Sequence, residues 1–377
     1  MRRIILFIIT FAVMCNLCIC LAEEQAVIDL DCPSAILIER STGKVLYEQE
    51  ADAERPIASV TKIMTLLLIM EALENETITL ETLITCSEHA VSMGGSQVYL
   101  KEGETMSVSD MLKAITVSSA NDACVAMAEH IAGSVEAFVK MMNDRAAELG
   151  MKHTNFINCT GLDADGHYSS ARDVSLMSAE LLKYDIIREY TTIWMDSLRN
   201  GSFGLSNTNK LVRFYEGCTG LKTGSTSKAL YCMSASAERD GMELIAVVLG
   251  ASTSPKRFDD AKKLLNYGFA SYELYQKEID LPKNIQVIGG KEETAELSGT
   301  NFVSLLVKKG LSKNINIDIQ MEESVTAPAP AQTQVGEVNI VAGEEILCNY
   351  PIVLAHNAEK ATFWDTFLRI FRVFLTV

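Results

Sequence analysis

The sequence contains three Ser-x-x-Lys tetrads: Ser41/Lys44, Ser59/Lys62 and Ser225/Lys228. A serine and a lysine three residues apart lie on one face of a helix, one turn apart. There the amine takes the serine proton once desolvation or a second cation lowers its pKa. The helix N-terminus adds N–H groups and a positive partial charge near a developing oxyanion. Context separates the three tetrads. Ser41 stands in a polar turn with Gly43, where turn chemistry accounts for it. Ser225 follows Gly224 in an expected loop. Only Ser59 opens a long apolar stretch, 59–73, as the start of a helix that buries Lys62 beside it.

Two further clusters carry chemistry. Ser119-Ala120-Asn121 falls between two apolar helical stretches. A hydroxyl and an amide two residues apart can relay a proton and hold a substrate amide, although Ser and Asn also serve as helix N-caps. Lys222-Thr223-Gly224 occurs once, followed by Ser225-Thr226. It supplies a cation, a hydroxyl and a residue without a side chain, past which a ligand can approach the backbone. On an edge strand such a segment pairs with an extended peptide. Ser312-Lys-Asn314 repeats the bare Ser-x-Asn pattern in an expected loop far downstream and carries no role.

Positioning these residues requires a mixed fold. Two short apolar runs, 34–40 and 45–50, flank a Gly-containing turn and predict a hairpin. Helical patterns follow at 59–73, 106–132, 135–149 and 170–183, the last opening on Ser170-x-x-Asp173, a capping-box signal. The runs 230–237 and 243–249 predict strands joined by a turn at Arg239-Asp240-Gly241. Strands, then helices, then strands predict an α+β fold: an antiparallel sheet with a helical insertion. Near residue 276 the composition shifts to short alternating runs punctuated by Gly and Pro, which predict a small all-β domain of sandwich type.

The ends differ from the body. Arg2 and Arg3 precede an apolar run ending at Leu21, then Ala22 and Glu23-Glu24, the pattern of a secretory leader. At the other end, Asp365, Arg369, Arg372 and Thr376 form one narrow polar stripe on a helix whose remaining surface is aromatic and aliphatic. A spanning helix needs ~20 apolar residues, so this segment is expected to lie on a membrane surface. The expected division is 1–22 leader, 23–276 main domain, 277–355 β domain and 356–377 amphipathic anchoring helix. Three of the ten cysteines (Cys15, Cys18 and Cys20) belong to the leader. The other seven are odd in number and scattered, which predicts buried free thiols rather than a disulfide framework.

Taken in order, the Ser59, Ser119 and Lys222 clusters resemble the S-x-x-K, S-x-N and K-T-G signature of serine penicillin-binding proteins and β-lactamases. The stretches IASVTKIMT, SANDACVAMA, GLDADGHYSSARD and GLKTGSTSKALY are similar to the low-molecular-weight D-alanyl-D-alanine carboxypeptidases of peptidase family S11. The likeness runs through the β domain and terminal helix, and the sporulation-associated Gram-positive members look most similar. The resemblance implies the transpeptidase fold of that family. It implies a serine carboxypeptidase that removes the terminal D-alanine from peptidoglycan stem pentapeptides and is acylated by β-lactams. Ser59 would be the nucleophile and Lys62 its base. Ser119 and Asn121 would complete the proton network and hold substrate. Lys222, Thr223, Gly224, Ser225 and Thr226 would line the site, with backbone N–H groups of Ser59 and Ser225 as the oxyanion hole. Arg257 falls where relatives read the terminal carboxylate, while Asn207-Thr-Asn-Lys replaces a second arginine found in some of them.

Composition and missing motifs narrow the alternatives. The formal net charge is −16, and about −18 once Arg2 and Arg3 leave with the leader, which repels nucleic acid. No metal or cofactor is called for: the five histidines form no H-E-x-x-H, and no serine sits in G-x-S-x-G. A β-lactamase is the nearest rival, but no E-x-x-L-N pattern occurs between Asn121 and Lys222. A DD-endopeptidase on the same fold and a non-catalytic muropeptide or β-lactam sensor remain open at this point. The expected partners are the stem peptide, β-lactams and, through the C-terminal helix, the outer face of the cytoplasmic membrane.

Overall fold

The computed structural model describes residues 27–375. The leader expected over 1–22 lies outside them. Along the chain, β1 (Ser34–Glu39) and β2 (Val45–Gln49) form the expected hairpin, and a 3-10 turn, Ala58–Thr61, leads into α1 (Lys62–Glu74). The pair β3 (Leu83–Thr85) and β4 (Thr105–Ser107) flanks α2 (Glu88–Val91). Then come α3 (Val108–Val117), α4 (Asn121–Ala132), α5 (Val135–Glu148), α6 (Ala171–Leu181) and α7 (Ile186–Thr191). The hairpin of β5 (Met195–Leu198) and β6 (Phe203–Ser206) and the short α8 (Leu211–Phe214) lead to β7 (Cys218–Thr226), β8 (Leu230–Arg239), β9 (Met242–Ala251) and α9 (Ser254–Ser271).

The main sheet runs β2-β1-β9-β8-β7, every neighbour antiparallel, with the helical insertion between β2 and β7. Both faces are covered. Ile36, Ile38, Ile245, Val247 and Leu249 join the core under the helices, while Ala35, Leu37, Leu244, Ala246 and Val248 join a second core under α9. Alternate side chains point to opposite faces, so covering both makes the strands near-continuous apolar runs. Gly268 lets α9 sit close to the sheet, because a Cβ there would lie 2.4 Å from Leu244 Cδ1. Nine consecutive residues of α1, Lys62 through Met70, are buried, so this helix is the axis of the insertion.

Several expectations are corrected. Ser59 does not open the α-helix but sits in the 3-10 turn before it, and α1 begins at Lys62. Met106 is in β4 rather than helical, while Ser119 does fall between two helices, α3 ending at Val117 and α4 starting at Asn121, where the chain turns with φ +61. The capping box at α6 is half made. Ser170 Oγ accepts from the Asp173 N–H (3.1 Å), but the Asp173 carboxylate is taken by His153 N–H and Thr154 Oγ1 (2.7 and 2.8 Å). Ser225 is not in a loop but on β7, because the β7–β8 pairing continues to Thr226 opposite Leu230.

The C-terminal part is all-β. β10 (Tyr272–Glu278), β11 (Asn284–Ile288), β12 (Thr294–Ser298), β13 (Phe302–Lys308), β14 (Ile315–Met321), β15 (Ser324–Thr326), β16 (Gln334–Ala342) and β17 (Glu345–Leu354) enclose a third core around Val303, Val338, Ile340 and Ile352. Six of them form one sheet, β14-β16-β17-β12-β11-β15, and β10 pairs with β13. The chain ends in α10 (Phe363–Leu375), capped by Thr362, whose Oγ1 and N–H both bond the Asp365 carboxylate. The seven described cysteines are free, five of them buried.

Candidate functional site

The site forms where β7, the edge of the main sheet, meets the 3-10 turn and the start of α1. Lys62 is fully buried, and its Nζ has three neighbours: Ser59 Oγ at 2.9 Å, Asn121 Oδ1 at 2.6 Å and the Thr160 carbonyl at 2.6 Å. Two of these are oxygens that cannot donate. A neutral amine therefore spends both hydrogens on Asn121 and Thr160, and its lone pair is left for the Ser59 hydroxyl. The Asn121 amide is fixed in this sense because its Nδ2 donates to the Gly94 carbonyl (2.7 Å). Burial drives the Lys62 pKa down from the ordinary lysine value. Burial, with the facing Lys62, holds Lys222 well below it too. Water that would solvate an ammonium is excluded here, so the uncharged form is favoured.

Three connections hold this arrangement. Thr65 Oγ1 donates to the Cys159 carbonyl (2.7 Å), and Lys62 takes the next one. Asn158 Oδ1 accepts the N–H groups of Thr160 and Gly161 (3.1 and 2.7 Å), an Asx turn that presents the Thr160 carbonyl inward. Gly161 lies flat on the Ala58–Ser59 peptide: a Cβ there would be 1.9 Å from the Ala58 carbonyl oxygen, and its φ is +82. Ala58 itself has φ +49 and Ser119 has φ +61. Two non-glycine residues in the left-handed region thus lie next to Ser59 and near Asn121, a strain the surrounding contacts must overcome.

β7 closes the other side. Lys222, Gly224 and Thr226 fall on one face of the strand. Gly224 presses on the 3-10 turn, where a Cβ would lie 2.7 Å from Ser59 N and 2.9 Å from both Ile57 O and Val60 N. Lys222 Nζ donates to the Thr223 carbonyl (2.8 Å), and Thr223 Oγ1 donates to Thr208 Oγ1 (2.8 Å). Thr226 Oγ1 donates to Asp163 (2.7 Å). Ser225 is exposed on the opposite face from Gly224. Arg257, in the first turn of α9, is buried; its Nη1 donates to the carbonyls of Gly224 (3.0 Å) and Cys232 (3.3 Å), and its Nη2 to Ser254 Oγ (3.2 Å). Burial pushes its pKa down to about 10.

Thus Ser59, Lys62, Asn121, Lys222 and Gly224 converge, and Ser119 is buried at the α3–α4 corner beside Asn121. Thr223, Ser225 and Thr226 follow along the same edge, and Arg257 braces that edge from beneath. Sequence reasoning missed Thr160, Gly161, Gly94 and Thr208. A Thr160 carbonyl has no residue-type signal. Asn158-x-Thr160-Gly161 was readable as a turn, but nothing in it pointed at Lys62. Among the described residues no cluster of His, Cys, Asp and Glu is arranged to hold a metal ion.

The family model for D-alanyl-D-alanine carboxypeptidase (peptidase S11) matches residues 21–253, and that for the C-terminal domain of penicillin-binding protein 5 matches 269–360. The chain is 46% identical over 343 residues to the D-alanyl-D-alanine carboxypeptidase DacF of Bacillus subtilis, covering 89% of this chain and 88% of that one. Its fold is similar to penicillin-binding protein 5 from Haemophilus influenzae, with TM-score 0.77 and 28% identity over 89% of this chain and 99% of the other. It is also similar to penicillin-binding protein D2 from Listeria monocytogenes in its ampicillin-bound form, with TM-score 0.60 and 34% identity over 65% of this chain and all of that one.

The fit of Gly224 against the 3-10 turn is testable without assuming a reaction. Gly224→Ala should part β7 from that turn, raising amide hydrogen exchange at Ser59 and Val60 by about tenfold or more while the global unfolding midpoint moves little. Unchanged exchange at both amides would show that the contact is not what holds the turn.

Proposed function

The chain belongs to the serine D-alanyl-D-alanine carboxypeptidases, penicillin-binding enzymes of the cell wall, and from that premise we propose that Ser59 is the acylated nucleophile and Lys62 its base. The observation that carries this reading is the 2.9 Å approach of Lys62 Nζ to Ser59 Oγ with the other two amine contacts already committed. Lys62 takes the Ser59 proton as Oγ attacks the carbonyl of the penultimate D-alanine. The backbone N–H groups of Ser59 and Ser225 receive the oxyanion; the tight seating of Gly224 on Ser59 N supports that pairing. The proton returns through Ser119 to the leaving amine, and free D-alanine departs. Water, deprotonated by the same amine, then hydrolyses the ester and restores Ser59. Asn121 holds both Lys62 and the substrate amide.

Substrate polarity follows from the charges along β7. Lys222 and Arg257 make one end of the edge electropositive, which suits the terminal carboxylate, and Thr223 and Ser225 line that edge. The Nη groups of Arg257 bond backbone and Ser254 and its buried Nε has no hydrogen-bond partner, so it acts on the carboxylate through its charge and by holding Gly224 in place.

Our reading of α10 is that it rests on the outer face of the cytoplasmic membrane and tethers the enzyme there. Phe363, Trp364, Phe367, Leu368 and Phe371 are exposed, and Phe363, Phe367 and Phe371 stack in a row. On the polar stripe, Arg369 donates to the carbonyls of Gly290 and Lys291 (3.1 and 2.8 Å). That contact leaves the aromatic face outward, as an interfacial helix requires. The side chain of Arg372 and residue Thr376, expected on the same stripe, lie outside the described residues. Among the described residues no helix is long and apolar enough to cross a membrane.

Two experiments test these readings. Wild-type protein should release D-alanine from a stem pentapeptide and take up one penicillin on the peptide containing Ser59, both detected by mass spectrometry. Ser59→Ala should do neither, and adduct formation by that variant would overturn the assignment. Truncation after Ala361 should leave penicillin labelling intact and move the protein from the membrane fraction to the soluble one. Continued sedimentation with membranes, or release of the full-length protein by salt alone, would count against the tether.

A further inference from the structure

The chemistry above makes no use of His167, a buried histidine with both ring nitrogens engaged. Its Nδ1 accepts the Ile157 N–H (3.0 Å), so Nδ1 carries no proton. The other nitrogen is then Nε2–H, and it donates to Thr61 Oγ1 (2.8 Å). Thr61 is the last residue of the 3-10 turn that carries Ser59, and it precedes Lys62. Ile157 belongs to the segment that presents the Cys159 and Thr160 carbonyls to Thr65 and Lys62. That segment closes at its base by paired bonds between Asn155 and Tyr168 (3.0 and 3.1 Å). One ring therefore ties the base of the carbonyl-bearing loop to the nucleophile turn.

We propose that His167, held as the neutral Nε2–H tautomer, is a positioning residue for acyl transfer: it fixes the distance between the Ser59 turn and the loop whose Thr160 carbonyl orients Lys62. The inference rests on the Ser59–Lys62 reading above. Thr61 Oγ1 accepts from Nε2–H in either charge state, but the Ile157 N–H does not tolerate an imidazolium. A proton on Nδ1 would face the Ile157 N–H, donor against donor, and would free the loop from the turn. The surroundings keep that proton off. Thr61 and Ile157 offer uncharged groups, Phe156 presents its ring edge-on at 5.9 Å, and Asp163 on the same loop is the one charged group whose field reaches the ring among the described residues. Burial outweighs Asp163 and lowers the His167 pKa to about 4. The sign is therefore fixed. The neutral ring prefers the folded state, so its contribution is complete above the ordinary histidine value and is lost as the pH falls toward 4.

The test uses the full chain, imidazole ¹⁵N resonances and penicillin acylation kinetics. The His167 signals, identified by their absence in His167→Gln, should report neutral Nε2–H at pH 7. His167→Gln keeps an N–H donor and a carbonyl acceptor and carries no charge, so it should acylate within about threefold of wild type. His167→Phe and Thr61→Val, which remove the bond from either side, should each slow the acylation step by about tenfold or more, with the prior noncovalent binding of penicillin little changed. The double variant should be no slower than the slower single one, because both remove the same bond. Below pH 6.5 the wild-type unfolding midpoint should fall further than that of His167→Gln. Thr61→Val keeps the test decisive if His167→Phe does not fold. An Nδ1–H tautomer or imidazolium at pH 7, wild-type acylation by Thr61→Val, or losses that multiply in the double variant would overturn the proposal. Penicillin found on a residue other than Ser59 in the wild type would instead defeat the Ser59 reading and leave the ring assignment standing.

Discussion

Everything at this site depends on removing the Lys62 amine from water. An ammonium taken into an apolar interior loses hydration worth several kcal/mol, and a neutral amine loses far less. Here the amine is wrapped by α1, α4 and the loop around Thr160, with a second buried lysine facing it. The molecule thus converts packing into basicity. The same helix that forms the axis of the insertion supplies the desolvation, so stability of the core and the reactivity proposed for Ser59 draw on one set of contacts.

That constraint explains the local backbone. For two carbonyl-type oxygens to reach one amine, the loop must lie against the 3-10 turn, which requires Gly161. For β7 to seat against Ser59, the strand must touch the turn from the opposite side, which requires Gly224. Ala58 and Ser119 hold positive φ between these contacts. The strain persists because neighbours on both sides determine the geometry, and it is concentrated where a reacting carbonyl must fit. Arg257 extends the scheme one layer outward by gripping Gly224 and Cys232 through their carbonyls.

Much of this was legible in the sequence, for a physical reason. The roles proposed for Ser59, Lys62, Asn121 and Lys222 rest on side-chain chemistry, so residue type and spacing betray them. The antiparallel sheet and the buried helix were legible from apolar runs and the turn signals between them. What escaped acts through the backbone or through absence. The Thr160 and Gly94 carbonyls could belong to any residue, and Gly161 matters for the atoms it lacks. The 3-10 start of the helix was hidden because 3-10 and α turns share one apolar spacing over so few residues. Arg257 was found, but its bonds to backbone were not, since a sequence shows charge and not direction. Ser225 was misread as loop because Gly and Ser are turn-prone residues, and strand pairing with β8 overrides that local preference.

The central claim is that burial keeps a lysine amine uncharged beside Ser59 at working pH. Titration of the Lys62 side chain by ¹³Cε and ¹⁵Nζ NMR, with the signal assigned by its loss in Lys62→Arg, tests this directly. Because Lys62 and Lys222 interact, their protons leave in steps that belong to the pair. The account predicts that at least one of the two amines loses its proton well below the ordinary lysine value of 10.5. Two ammonium signals that persist to about pH 10 would contradict it.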